Sequence, residues 1–165
     1  MDNNKKFSYL EHMTDAIVEA YGKDMKEAFA NASLGLLNLM FNISKVKLEK
    51  EVKITVVGND PYNLLYEWLE KILLLVYIDN FIVTNFKFKI FRCETNSEVV
   101  KETSENNENK GLYSNFQKYY IECIVAGEEI DLIKHEYKLE VKSITYHEME
   151  IKHKGSYYVK FLVDL

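Results

Sequence analysis

The chemistry this sequence can offer rests on a short set of polar residues: His12, Asp15, His135, Lys142, His147 and the closing pair Asp164-Leu165. Asp15 and Asp164 stand near opposite ends of the chain. If strands bring them together beside the terminal carboxylate of Leu165, several anionic oxygens share one corner. Like charges ~4 Å apart repel by roughly 4 kcal/mol at an effective dielectric constant of about 20, and a bound cation removes that penalty. Oxygen-only ligation selects a hard divalent metal, calcium first with magnesium as the alternative, ahead of zinc, and water completes the shell. The spacing equally allows two solvated aspartates at strand ends.

The C-terminal context favours an ordered end. Chain ends fray unless something ties them down, yet the alternating apolar run Tyr157 to Val163 continues to the last two residues without a polar tail. His12, three residues before Asp15, is suited to orienting that carboxylate as a second-layer group, although a lone histidine near a strand is more often packed or capping. Lys142 follows Lys138 and Glu140 in an alternating run, the pattern of a solvated strand face. Cys93 and Cys123 form no Cys-x-x-Cys pair, so neither a thiolate zinc site nor a disulfide framework is indicated.

Familiar catalytic templates are missing. The sequence contains no Gly-rich phosphate loop, no Gly-x-Ser-x-Gly elbow, no His-Glu-x-x-His and no dinucleotide fingerprint. A formal net charge of −5 argues against tight RNA or DNA binding by the chain alone, because that binding draws on basic side chains neutralising phosphates. Neither a signal peptide nor a membrane span is expected: Met1 to Lys6 is polar, and the most apolar stretch, Leu64 to Ile78, is broken by Glu67, Glu70 and Lys71. The expected setting is intracellular, cytoplasmic and/or nuclear.

The elements that must position these residues follow from periodicity. Residues 7 to 21 read as one or two short strands ending at a Gly22 turn. Asp24 with Glu27 three residues on marks a helix start, and Met25, Phe29, Ala32, Leu36 and Met40 recur at helical steps. Val52, Ile54 and Val56 alternate in a strand over 51 to 58. Asp60-Pro61 then opens a second helix, whose Leu64, Leu65, Trp68, Leu69, Ile72 and Leu75 line one core-facing side to about Ile78. Phe81 to Phe91 alternates as a strand, and residues 94 to 116 lose all periodicity, the composition of a flexible polar insertion. Strands return at Tyr119 to Ala126, Tyr137 to Tyr146, His147 to Lys152 and Tyr157 to Asp164.

The expected fold is therefore α+β. It is an antiparallel β-sheet sandwich or partly closed barrel packed with two amphipathic helices, one domain over 1–165.

Motifs in order along the chain give a resemblance. His12-Met13-Thr14-Asp15, Ala20-Tyr21-Gly22-Lys23, Glu27-Ala28-Phe29-Ala30-Asn31-Ala32 and Gly35 resemble the opening of an archease, where His-Thr-Ala-Asp precedes a strand and a Gly-led helix. Leu64-Leu65 with Glu67-Trp68-Leu69-Glu70 is similar to that family's second helix. His135, the run Val141 to His147, and Asp164-Leu165 are similar to its closing strands. The likeness covers residues 7 to 165 apart from the insertion, and it departs at Met13-Thr14, where the family has Thr-Ala.

The resemblance implies an accessory protein and not an enzyme. Archeases activate the RtcB-type RNA ligase of tRNA splicing and RNA repair, promoting guanylylation of the ligase and its multiple turnover. Carried over, the metal ligands are Asp15, Asp164 and Leu165, the groups acting on the partner are Asp15, Lys142 and Asp164, and RNA is reached only through the ligase. The protein would work as a monomer or weak homo-oligomer, away from membranes. A chaperone-like modulator of a tRNA methyltransferase or another RNA-processing enzyme is the alternative, and a small metal-dependent enzyme a third reading.

Overall fold

The structure is a computed structural model that describes residues 5–11, 15–100 and 112–165. Among the described residues, seven strands and two α-helices follow in the order β1 (Phe7–Glu11), β2 (Asp15–Gly22), α1 (Met25–Met40), β3 (Lys50–Gly58), α2 (Pro61–Tyr77), β4 (Phe81–Val100), β5 (Leu112–Glu129), β6 (Ser143–Lys154) and β7 (Ser156–Asp164). A 3-10 turn, Ile43–Lys45, follows α1. The strands form two antiparallel sheets, β1-β2-β7-β6 and β3-β5-β4, and neither closes on itself. The architecture is α+β, and the barrel form of the expectation gives way to two open sheets.

Local chemistry sets the helix starts. The Asp24 carboxylate accepts the Glu27 amide at 2.8 Å, while the Glu27 side chain reaches back to the Lys23 amide at 2.7 Å. Asp60 accepts the amides of Tyr62 and Asn63, both at 2.8 Å, with Pro61 in the first turn. The bonds from Glu27, Tyr62 and Asn63 satisfy donors that the helices leave unpaired, and the Lys23 bond fixes the turn just ahead of α1.

Each helix touches strands of both sheets: α1 lies on β1, β2 and β7 and reaches β4, and α2 lies on β3, β4 and β5 and reaches β6. Trp68 joins the helices. It is fully buried, its indole N–H donates to Ser33 Oγ at 2.7 Å and to the Phe29 carbonyl at 3.2 Å, and its ring meets those of Phe86 and Phe88. Close approach of strand and helix needs Gly22, where an added Cβ would stand 2.3 Å from the Ala28 nitrogen. No helix among the described residues is long and apolar enough to cross a membrane.

Two expectations change. Residues 94–100 and 112–116, predicted as irregular, continue the β4–β5 ladder as far as Val100 opposite Leu112, and residues 101–111 lie outside the described part. Backbone pairing extends a hairpin even where composition carries no alternation, because each added pair satisfies main-chain groups. The run 137–146 is not one strand. Residues 137–142 form a strap bonded to the end of α1, with the Lys138 amide on the Met40 carbonyl at 2.8 Å and the Lys138 ammonium on the Asn38 carbonyl at 2.8 Å. Strand β6 begins only at Ser143 and absorbs the predicted run 147–152 after a bulge of 146–149.

Candidate functional site

Asp15 opens β2 and Asp164 closes β7, and the antiparallel register sets them directly opposite each other. Opposed residues of such a ladder have Cα atoms about 4.5–5.5 Å apart and side chains on one face. The third strand of the row is β6, whose first residue, Ser143, is also opposite Asp164. Ser143 Oγ donates to Asp164 Oδ2 at 2.8 Å. Lys142 grips the same end twice: its amide donates to the Asp164 carbonyl at 2.9 Å, and its ammonium donates to the Leu165 main-chain oxygen at 2.6 Å.

The chain positions this corner because core-facing residues fix the register. Val18 and Ala20 of β2 and Val159, Phe161 and Val163 of β7 are completely buried on the helix side. A slip of one residue would turn them away from the helices, so the aspartates are held on the opposite face. Along that face the buried pair Ile17 and Leu162 comes next, and a polar network lies beyond it. Glu19 accepts the hydroxyls of Ser8 at 3.0 Å, Tyr21 at 3.2 Å and Tyr158 at 2.9 Å. Burial, together with Glu19, pushes the Tyr158 phenol above the usual range. Lys160 lies beside it, 2.9 Å from Glu150 and 3.6 Å from Glu148.

The residues singled out from sequence divide accordingly. Asp15, Asp164, Leu165 and Lys142 come together, whereas His12 lies outside the described residues. Lys142 is exposed, but it sits on the strap ahead of β6 and not on a strand face shared with Lys138 and Glu140. His147 is exposed in the β6 bulge, its amide bonded to Thr145 Oγ1 at 3.0 Å. Cys123 is a core thiol, pushed up to about 12 by burial, and Cys93 is exposed.

His135 is structural. The Asp131 amide donates to its Nδ1 at 3.0 Å, which leaves Nε2 to carry the ring proton toward Glu128 Oε1 at 3.1 Å. Glu128 also accepts the Lys47 amide at 2.6 Å and pairs with the Lys134 ammonium. This buried knot ties down the start of the strap that delivers Lys142.

Sequence reasoning passed over Ser143 and Glu128 as participants. Ser143 stands beside Lys142 in the closing motif; Glu128 takes the Lys47 amide from far along the chain and Lys134 and His135 from six and seven residues on, spacings that no helix or strand repeat announces.

The donor set has a definite chemistry. Among the described residues no three His, Cys, Asp or Glu side chains gather as a metal-holding group. What the corner supplies is two carboxylates and main-chain oxygen, all hard donors, which fits a partly hydrated calcium or magnesium ion better than zinc.

Comparison with known proteins agrees with this architecture. The profile of the "Archease protein family (MTH1598/TM1083)" matches residues 7–165. Protein archease of Sulfurisphaera tokodaii is 36% identical over 162 residues, covering 98% of this chain and 99% of the relative. Protein archease of Sulfolobus acidocaldarius is 34% identical over 161 residues, covering 97% and 99% respectively. The solution structure of Methanobacterium thermoautotrophicum protein 1598 superposes with a TM-score of 0.68 at 27% identity, covering 97% of this chain and 99% of that one. A fold with this register, matched by the family profile over nearly all of its length, means that the chain belongs to the archease family.

Proposed function

We infer that this protein is a metal-binding activator of an RtcB-type RNA ligase, acting on the ligase's guanylylation and turnover without catalysing a reaction of its own. The observation that supports it most is the row Asp15, Asp164 and Ser143, with Lys142 folded onto Leu165 at its end. Two carboxylates and a lysine on an accessible sheet end are suited to arranging a metal ion and phosphate oxygens supplied by another protein. Asp15, Asp164 and the Leu165 carboxyl group would hold the ion, calcium or magnesium, with water and partner groups filling the remaining positions. Such an ion supplies charge neutralisation for phosphoryl oxygens. Lys142 would add a point charge toward the same oxygens.

The acidic balance supports indirect action on RNA. With a formal net charge of −5, the chain has little of the basic surface that phosphate contacts require, so the ligase would hold the nucleic acid.

Reconstitution tests this reading. Ligase, a nucleoside triphosphate and manganese are incubated with and without this protein, and turnovers per ligase are counted. The expected result is multiple turnover only in its presence, with Asp15→Ala lowering stimulation by at least about tenfold, or about 1.4 kcal/mol, while the circular dichroism spectrum stays unchanged. Full stimulation by Asp15→Ala would remove the site from the mechanism and leave a chaperone-like role.

A further inference from the structure

The contact of Lys142 with Leu165 bears on how the corner is controlled. The ammonium sits 2.6 Å from the Leu165 oxygen, the separation at which calcium holds its own oxygen ligands, about 2.3–2.6 Å. Two cations cannot share that oxygen cheaply, since a +2 ion and a +1 ammonium repel twice as strongly as two unit charges at equal distance.

The backbone makes the competition local. Lys142 is anchored by its amide on the Asp164 carbonyl, so displacement of its ammonium need not move the strand. Its side chain is exposed, so the displaced ammonium has solvent to enter. Ser143, meanwhile, keeps one oxygen of Asp164 directed by its 2.8 Å bond, and that bond does not depend on Lys142.

We propose that Lys142 holds the Leu165 oxygen in place of the ion, so that a divalent ion and the Lys142–Leu165 contact exclude each other and loading the ion turns the lysine outward toward the partner. This rests on the ion-binding reading above. In the absence of the ion, Lys142 occupies the Leu165 oxygen and is withheld; with the ion bound, it becomes a positioning residue for an anionic group on the partner. The protein would then present its lysine only in the loaded state.

Calcium alone, titrated calorimetrically into the full chain, distinguishes the possibilities. Under exclusion, Lys142→Met and Lys142→Gln both tighten calcium binding by about tenfold at unchanged stoichiometry, which corresponds to about 1.4 kcal/mol. Lys138→Met, which removes an equal charge from the same strap, changes affinity less than about twofold. A lysine that merely buttresses Leu165 would give the opposite sign, with weaker binding in both Lys142 variants. Equal or weaker affinity in those variants overturns the inference, as does equal tightening by Lys138→Met, which would reduce the effect to general charge. A wild-type chain that takes up neither calcium nor magnesium sinks the ion-binding reading itself and the inference with it. Ligase stimulation is not the deciding readout, because either role of Lys142 would lower it.

Discussion

Glu128 is a buried carboxylate answered from three directions, by the Lys134 ammonium, the Lys47 amide and the His135 ring. Burial alone would raise its pKa, but these partners outweigh burial and hold it at about 2 against an ordinary 4.5. The sign follows from linkage. A carboxyl group depressed in the folded state gives stability that is fully present above the unfolded value and is lost as pH falls toward the folded one. Urea midpoints should therefore decline between about pH 4.5 and pH 2, and Glu128→Gln should flatten that part of the profile while lowering the neutral-pH midpoint by about 1–3 kcal/mol equivalent. A decline unchanged by the substitution would assign the acid limb to other groups. The same residue illustrates why some of the chemistry was hidden in the sequence. Asp15, Asp164 and Lys142 stood out by type and by motif, whereas the partners of Glu128 lie on Lys47, Lys134 and His135 and follow no local spacing.

Strands and helices with strong local signals were readable in advance; those defined by pairing were not. Both helices start at the predicted aspartates because capping chemistry is local, involving amides two or three residues away. The β4–β5 hairpin is the opposite case, since its outer half is stated by register and not by hydrophobic alternation. The rings of Phe86, Phe88, Phe91 and Tyr119 pack against the core, and beyond Tyr119 the described side chains of β5's outer part are exposed. Removal of residues 96–114 with a tight turn in their place should therefore shift the melting temperature by less than about 2 °C, since 1 kcal/mol corresponds to about 2–4 °C at this size. A loss several times larger would mean that the outer hairpin contributes to the folded core. The strap 137–142 escaped notice for a related reason: it alternates like a strand, but its hydrogen-bond partner is the carbonyl end of α1.

The first and last strands of the corner come from opposite ends of the chain, so the site is a property of the assembled molecule. Under the ion-binding reading, a ligand that binds only the folded state stabilises it by RT ln(1 + [L]/Kd), about 2.7 kcal/mol when calcium is at 100 times Kd. Calcium at that excess should raise the unfolding midpoint accordingly, and a version carrying extra residues after Leu165 should lose most of that rise because its Leu165 carboxylate has become an amide. An identical rise in the extended protein would take Leu165 out of the ligand set. The pairing of β2 with β7 also has a meaning for biosynthesis. Strand β2 is made well before β7, so the pairing of Asp15 with Asp164 forms only once residues 156–164 have emerged. A product aborted anywhere before residue 164 therefore lacks Asp164, and with it half of the facing pair.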